Sequence, residues 1–226
     1  MKYFIANWKA NKNADDALAW SDDFLKLTEK SEKVKNLLER KLIKVIICPP
    51  LTLIYPLKER IKRITNICLG CQNFSLYEKG AYTGENPVQS LVGIAEYAII
   101  GHSERRLKFG EDQETVNKKI DLAQKYGIEP IVCISCKKEW DSLKKPVKLV
   151  AFEPLEAIGS GNNMPVKKVI DFRQNLKIND GTEFIYGGSV NEKNIPQYAL
   201  SDRINGFLVG GASLDPLSFF NIIKES

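Results

Sequence analysis

Eight short apolar runs recur along the chain: YFIAN, KVIICP, NICLGCQ, EYAIIG, EPIVCIS, VKLVAFE, EFIYGG and GFLVGG. Each is long enough for one strand, and none approaches the length of a membrane span. Their residues are apolar almost throughout instead of alternating with polar ones, the pattern of parallel strands buried on both faces. Helix-periodic stretches separate them, at about residues 14–40, 50–63, 87–95, 112–126, 164–176, 191–199 and 214–224. Some carry start signals, such as Asn191 ahead of EKN and Asp215-Pro216 ahead of LSFF. Eight β-then-α units with no Pro/Gly/Ser-rich linker predict one domain over residues 1–226, a closed (β/α)8 barrel. An open doubly wound sheet is the alternative.

One unit departs from the others. Only CKKEWDSLKKPV, about a dozen residues, is available to cross from IVCIS to VKLVAFE, near the lower limit for a βαβ connection. It permits one or two helical turns. The barrel is therefore expected to carry a shortened crossover after its fifth strand, with a wall that is thin or covered by another subunit.

Composition removes several functional classes. With 43% hydrophobic and 27% charged residues the chain has an ordinary globular balance. The N-terminal MKYFIANWKA has too short an apolar core for a signal peptide, so a cytoplasmic protein without a membrane partner is expected. The net charge of +5 is spread along the chain and would steer small anions toward it. Nucleic-acid binding would instead show a basic block with interleaved aromatics. Five cysteines include two C-x-x-C pairs, Cys68/Cys71 and Cys133/Cys136. Residues three apart on a strand point to opposite faces, so small buried thiols account for them better than a metal site.

Functional groups of a (β/α)8 barrel gather where strands end and loops begin. Those ends carry Asn7 and Lys9 after the first strand, His102 and Glu104 after the fourth, and Glu153 after the sixth. Gly187 to Ser189 follow the seventh strand, and Gly210-Gly211 the eighth. The turns YGGSVNEKN and LVGGASL lead into helices, expose backbone N–H groups and leave room for an anion. They read as adjacent phosphate cradles, with Ser189 adding a hydroxyl; singly, either could be only a tight turn. Glu153 emerges from an apolar strand into the barrel mouth, where a desolvated carboxylate is a candidate general base. A structural carboxylate paired with an arginine is the plainer alternative. Lys9 can supply fixed positive charge beside a dianion. His102, the chain's single histidine, stands before a short helical segment whose positive end favours a neutral imidazole able to donate to a carbonyl. Seen alone, it is more readily a structural residue. Glu104 can orient Lys9, and Arg105 and Arg106 read as salt-bridge partners.

Taken together, these residues resemble the triosephosphate isomerase family along the whole chain. The resemblance is carried by ANWKANKN, CQNFSLYEKGAYTGE, IIGHSERR, AFEPLEAIGSG, YGGSVN and GFLVGGASL, in the family's order. It implies a single (β/α)8 TIM barrel that interconverts dihydroxyacetone phosphate and D-glyceraldehyde 3-phosphate by proton transfer through an enediolate. That places it in glycolysis and gluconeogenesis, with no metal or organic cofactor. It implies Glu153 as the base, neutral His102 as the electrophile, Lys9 as charge stabiliser positioned by Asn7, and Glu104 behind the lysine. Backbone N–H groups of Gly159, Gly210 and Gly211, with Ser189, would hold the phosphate. The stretch from Pro154 to about Met164 would close as a lid that excludes water. CQNFSLYEKGAYTGE resembles the family's protruding loop, which implies a homodimer through residues 71–87. Thr83 would reach the neighbouring active site, and Glu85 would pair with Arg105 across the interface.

The chain also departs from the family. A tryptophan at the lid's third position is there hydrogen-bonded alternately to a tyrosine before the catalytic glutamate and to a glutamate after strand five. Those positions here hold Glu156, Phe152 and Cys136. The latch cannot form, so altered lid-opening rates with intact proton-transfer chemistry are expected. Another phosphate-binding barrel isomerase or lyase would share the cradles but not GHSERR together with AFEP. A barrel kept only for binding would not need Lys9, His102 and Glu153 all present.

Overall fold

The eight apolar runs form eight strands, each parallel to the next. In the computed structural model, which describes residues 1–156, 163–178 and 180–226, they are β1 (Lys2–Asn7), β2 (Ile43–Cys48), β3 (Ile67–Cys71), β4 (Tyr97–Ile100), β5 (Glu129–Ile134), β6 (Leu149–Phe152), β7 (Glu183–Tyr186) and β8 (Gly206–Val209). Pairing of β1 with β8 closes the barrel, with Tyr3 opposite Gly206 and Ala6 opposite Val209. Two apolar layers explain why the strands do not alternate with polar residues. Tyr3, Ile5, Ile46, Ile99, Ile131 and Leu149 fill the barrel interior. Phe4, Ala6, Val45, Val132 and Val150 face the outer helices and are also buried.

The helices are α1 (Ala14–Lys30), α2 (Glu32–Glu39), α3 (Ile54–Ile61), α4 (Ser103–Phe109), α5 (Gln113–Lys125), α6 (Lys137–Asp141), α7 (Val166–Asn175), α8 (Ile195–Ala199) and α9 (Pro216–Lys224). Two sequence expectations need correction. The stretch 14–40 is two helices, because Ser31 takes an extended conformation and its hydroxyl accepts from Val34 N–H, starting α2 afresh. The stretch 87–95 holds only a 3-10 turn, Val88–Leu91, ended by Gly93 at φ 77°. Asn191 does start the helical turn that leads into α8: its Oδ1 accepts from Lys193 and Asn194 N–H at 2.9 and 3.1 Å, its carbonyl accepts from Ile195 N–H at 3.0 Å, and Asn194 Oδ1 accepts in return from Asn191 N–H. Asp215 does cap α9, accepting from Ser218 N–H at 2.7 Å.

The crossover after β5 is as short as its sequence requires. The five-residue α6 buries no side chain fully, and Trp140 and Leu143 cover part of the outer core beside it. Next to it, at the amino ends of β5, β6 and β7, lies an open depression of 970 Å³ bordered by Trp140, Lys144, Lys148 and Thr182. Among the described residues no helix is long and apolar enough to cross a membrane.

Candidate active site

Alternate residues of a strand point the same way, and this rule carries the inward face of the barrel into its mouth. Tyr3 and Ile5 lead to Asn7, Leu149 and Ala151 to Glu153, Ile185 to Gly187, and Leu208 to Gly210. All four inward positions line one cavity of 270 Å³ with Lys9, His102, Ser189 and Gly211. The larger depression beside α6 is at the other end of the barrel and shares no residue with it. The chemistry lies in the smaller one, where titratable groups and glycine turns converge.

Lys9 sits just beyond β1 at φ 53°, in the left-handed region. Its N–H donates to Asn7 Oδ1 at 3.1 Å, and its Nζ donates to Glu104 Oε1 at 2.8 Å. A Cβ added at Gly210 would lie 3.3 Å from Lys9 Cε, so the glycine leaves room for the lysine stem. Burial opposes ionisation of Glu104, yet the Lys9 hydrogen bond and charge outweigh it and hold the carboxyl below the usual range. The pair therefore holds the Lys9 side chain at the cavity wall.

His102 is the residue before α4. Its Nδ1 accepts from Glu104 N–H at 3.2 Å, which leaves the hydrogen on Nε2 and makes this the neutral Nε2–H tautomer. That Nε2 lies 2.8 Å from Glu153 Oε1, and Glu153 Oε2 accepts from Ser103 N–H at 2.9 Å. Both side chains are buried, at 7% and 3% exposure. Space for the carboxylate comes from Gly187, where a Cβ would stand 3.2 Å from Glu153 Cγ. Burial, together with the charge of Glu153, pushes the neighbouring Cys133 thiol well above its usual range.

The two glycine turns are held rigidly. Ser189 adopts φ 50°, and its carbonyl accepts from Asn194 Nδ2 at 3.0 Å, while Asn194 Oδ1 accepts from Asn191 N–H at 2.9 Å. Gly211 opens a 3-10 turn to Ser213; Ser213 Oγ donates to the Gly210 carbonyl at 2.7 Å, and the Ser213 carbonyl accepts from Trp20 Nε1 at 3.1 Å. Fixed turns of this kind present backbone N–H groups to an anion without reorganisation. Gly159 and the central part of the expected lid, residues 157–162, lie outside the described residues.

Three further groups belong to the sequence expectations. Thr83 is exposed, beside Tyr77 and Tyr82 stacked at 4.0 Å. Within the chain Glu85 accepts from Ser75 Oγ, and Arg105 pairs with Glu111 at 3.3 Å while lying over the Phe109 ring. At the latch positions, Phe152 is buried and stacked on Phe172 at 3.8 Å, whereas Cys136 and Glu156 are exposed. Among the described residues no cluster of His, Cys, Asp and Glu could hold a metal ion.

Several supporting contacts escaped sequence reasoning. Arg106 is chiefly a brace for carbonyls: it donates to Gly101 O at 2.8 Å and Cys133 O at 3.3 Å, with Glu139 farther away at 3.8 Å. Glu139, from α6, accepts from Ser135 N–H at 2.6 Å. Gln72 reaches back from the end of β3 to the carbonyls of Lys9 and Cys48. Arg106 lies within GHSERR and Gln72 within CQNFSLYEKGAYTGE, but spacing alone did not reveal the partners of either.

Residues 2–226 match the protein family described as triosephosphate isomerase. The chain is 34% identical to the triosephosphate isomerase of Dictyoglomus thermophilum over 99% of both chains. It is 36% identical to that of Aquifex aeolicus over 98% of both. With a Dehalococcoides mccartyi protein of the same name it shares 39% identity, over 81% of this chain and 84% of the other.

Proposed function

Because the chain belongs to the triosephosphate isomerase family, we propose that its 270 Å³ cavity interconverts dihydroxyacetone phosphate and D-glyceraldehyde 3-phosphate, as a step of glycolysis and gluconeogenesis. The observation that carries the mechanism is the contact of His102 Nε2 with Glu153 Oε1 at 2.8 Å, in the same cavity as the Lys9 ammonium. A substrate carbonyl oxygen takes the Nε2–H in place of Glu153 and frees the carboxylate. Glu153 then removes a proton from C1 of the ketose, and the C–H electrons form the enediolate double bond as charge moves to the carbonyl oxygen. Nε2–H and the Lys9 ammonium stabilise that charge where it develops. His102 moves a proton between the two oxygens, and Glu153 returns its proton to C2. Asn7 positions Lys9, and Glu104 anchors its ammonium.

The phosphate is assigned to the backbone N–H groups of Gly210, Gly211 and Gly159 with Ser189. Support comes from the rigid turns after β7 and β8 and from the net charge of +5. The assembly we propose is a homodimer through residues 71–87, formed by one catalytic domain over residues 1–226 and acting in the cytoplasm. The exposed tyrosine stack beside Thr83 supports the interface, with Glu85 and Arg105 exchanging their internal partners across it. Five free cysteines suit a reducing compartment. The lid opens at an altered rate, since Phe152, Cys136 and Glu156 cannot form the family's latch. Coupled assays in both directions on the purified protein test the activity, with Glu153→Gln as control; interconversion unaffected by that change would refute the assigned base.

A further inference from the structure

We propose that Gln72 is a positioning residue for Lys9, an inference that rests on the catalytic reading of that lysine. Lys9 holds φ 53°, a conformation that an ordinary side chain disfavours and that persists only when its surroundings fix it. Two side-chain amides do so. On one side, the Lys9 N–H donates to Asn7 Oδ1 at 3.1 Å; on the other, the Lys9 carbonyl accepts from Gln72 Nε2 at 2.8 Å. The second Gln72 amide hydrogen goes to the Cys48 carbonyl at 2.9 Å, which also accepts from Trp8 N–H at 3.1 Å. One amide therefore ties the peptide after Lys9 to the end of β2.

The direction of the lysine follows from this clamp. Its ammonium reaches Glu104, on the loop after β4, at 2.8 Å, and that line holds only while the Lys9 backbone stays left-handed. If Gln72 releases the carbonyl, the peptide turns toward the ordinary region and the side chain swings off the cavity. Gln72 is also the first residue after β3 and opens the segment that carries Thr83 and Glu85. The orientation of the charge-stabilising lysine is thus fastened to the base of the protruding segment.

A double-mutant cycle tests the assignment. Gln72→Met keeps the length of the side chain and removes both donors; it lowers kcat/KM by about 10- to 100-fold. In a Lys9→Ala background the same change costs less than about 3-fold, because the group it positions is gone. An equal loss in both backgrounds would mean a general structural role and overturn the proposal. An independent readout is the NMR signal of 15Nζ-labelled Lys9, identified by its disappearance in Lys9→Ala. Paired with Glu104, it is distinct from the solvated lysines in the parent protein and merges with them in Gln72→Met. A signal unmoved by Gln72→Met would also refute the clamp. This second measurement needs no turnover, so it separates failure of the clamp from failure of the enzymatic reading. Gln72→Asn, which keeps the amide but withdraws it by one methylene, replaces Gln72→Met in both measurements should the latter not fold.

Discussion

Glu153 and His102 share a hydrogen bond of 2.8 Å, with the hydrogen on the histidine Nε2 and the second carboxylate oxygen held by the Ser103 N–H. The base and the electrophile thus occupy each other, and a carbonyl entering the cavity competes for a donor that is already aimed. The imidazole needs no change of tautomer, because Glu104 N–H fixes Nδ1 as the acceptor.

Replacing Glu153 by Gln removes the base without changing its size. It lowers kcat by about 10²- to 10⁴-fold. The amide cannot accept from both donors as the carboxylate does, so a loss of about 1–3 kcal/mol in stability accompanies it. Steady-state kinetics together with urea unfolding checks both halves.

Four of the five cysteines are buried. Burial pushes Cys68 and Cys71 up to about 12, and Cys48 and Cys133 well above the usual thiol range. Cys136 alone is exposed among them. A thiol-specific reagent at neutral pH should therefore modify Cys136 first, with the rest reacting only on unfolding. Early modification of Cys133, detected by peptide mass spectrometry, would mean that the wall beside Glu153 opens.

Two glutamates bind protons in opposite senses. Burial, only partly offset by Lys148, raises Glu129 above its usual value. Its folded form favours the proton, so its favourable contribution is present at low pH and is lost as pH rises through the folded value. Glu129→Gln is accordingly expected to raise Tm at pH 7, with the gain vanishing below pH ~4, the ordinary carboxyl range. Glu104 is lowered in the fold, burial being outweighed by Lys9. Its contribution is present above the unfolded value and is lost as pH falls through the lower folded one. Glu104→Gln should therefore reduce Tm at pH 7, with the difference fading in acid. Calorimetric scans across pH read both slopes.

For the assembly, sedimentation equilibrium should give twice the 25.5 kDa of one chain. Replacing residues 77–83 by a short glycine linker should yield monomers with kcat lowered about 10-fold or more, since a displaced catalytic loop costs on that scale. A monomeric parent protein with full activity would remove the proposed interface.

The ring was legible in the sequence because its strands are buried on both faces: Phe4 meets helices while Ile5 meets the barrel interior, and both must be apolar. The site was legible for a related reason. Asn7 and Glu153 occupy the inward phase of strands that are otherwise apolar, so polarity at those positions stands out. Contacts formed through space were not legible. Ser31 breaks 14–40 by capping, a weak local signal inside a strong helical period. Gln72 reads as one more polar loop residue until the barrel brings β3 beside β2 and puts the Lys9 and Cys48 carbonyls within its reach.

The five residues of α6 separate two duties usually filled by one helix, joining adjacent strands and coating them. Here Val132 and Val150 stay wholly covered, and β5 remains paired with β6 through Ile134 and Phe152, although the connector is little more than a bend. The residues just after α6, Leu143 to Lys145, border the depression at the opposite end of the barrel from the catalytic cavity. The segment from Leu143 to Lys145 is consequently a natural port for engineering, where foreign sequence or new chain termini can be installed while the Glu139 contacts to Ser135 and Arg106, and with them the reaction chamber, keep their geometry.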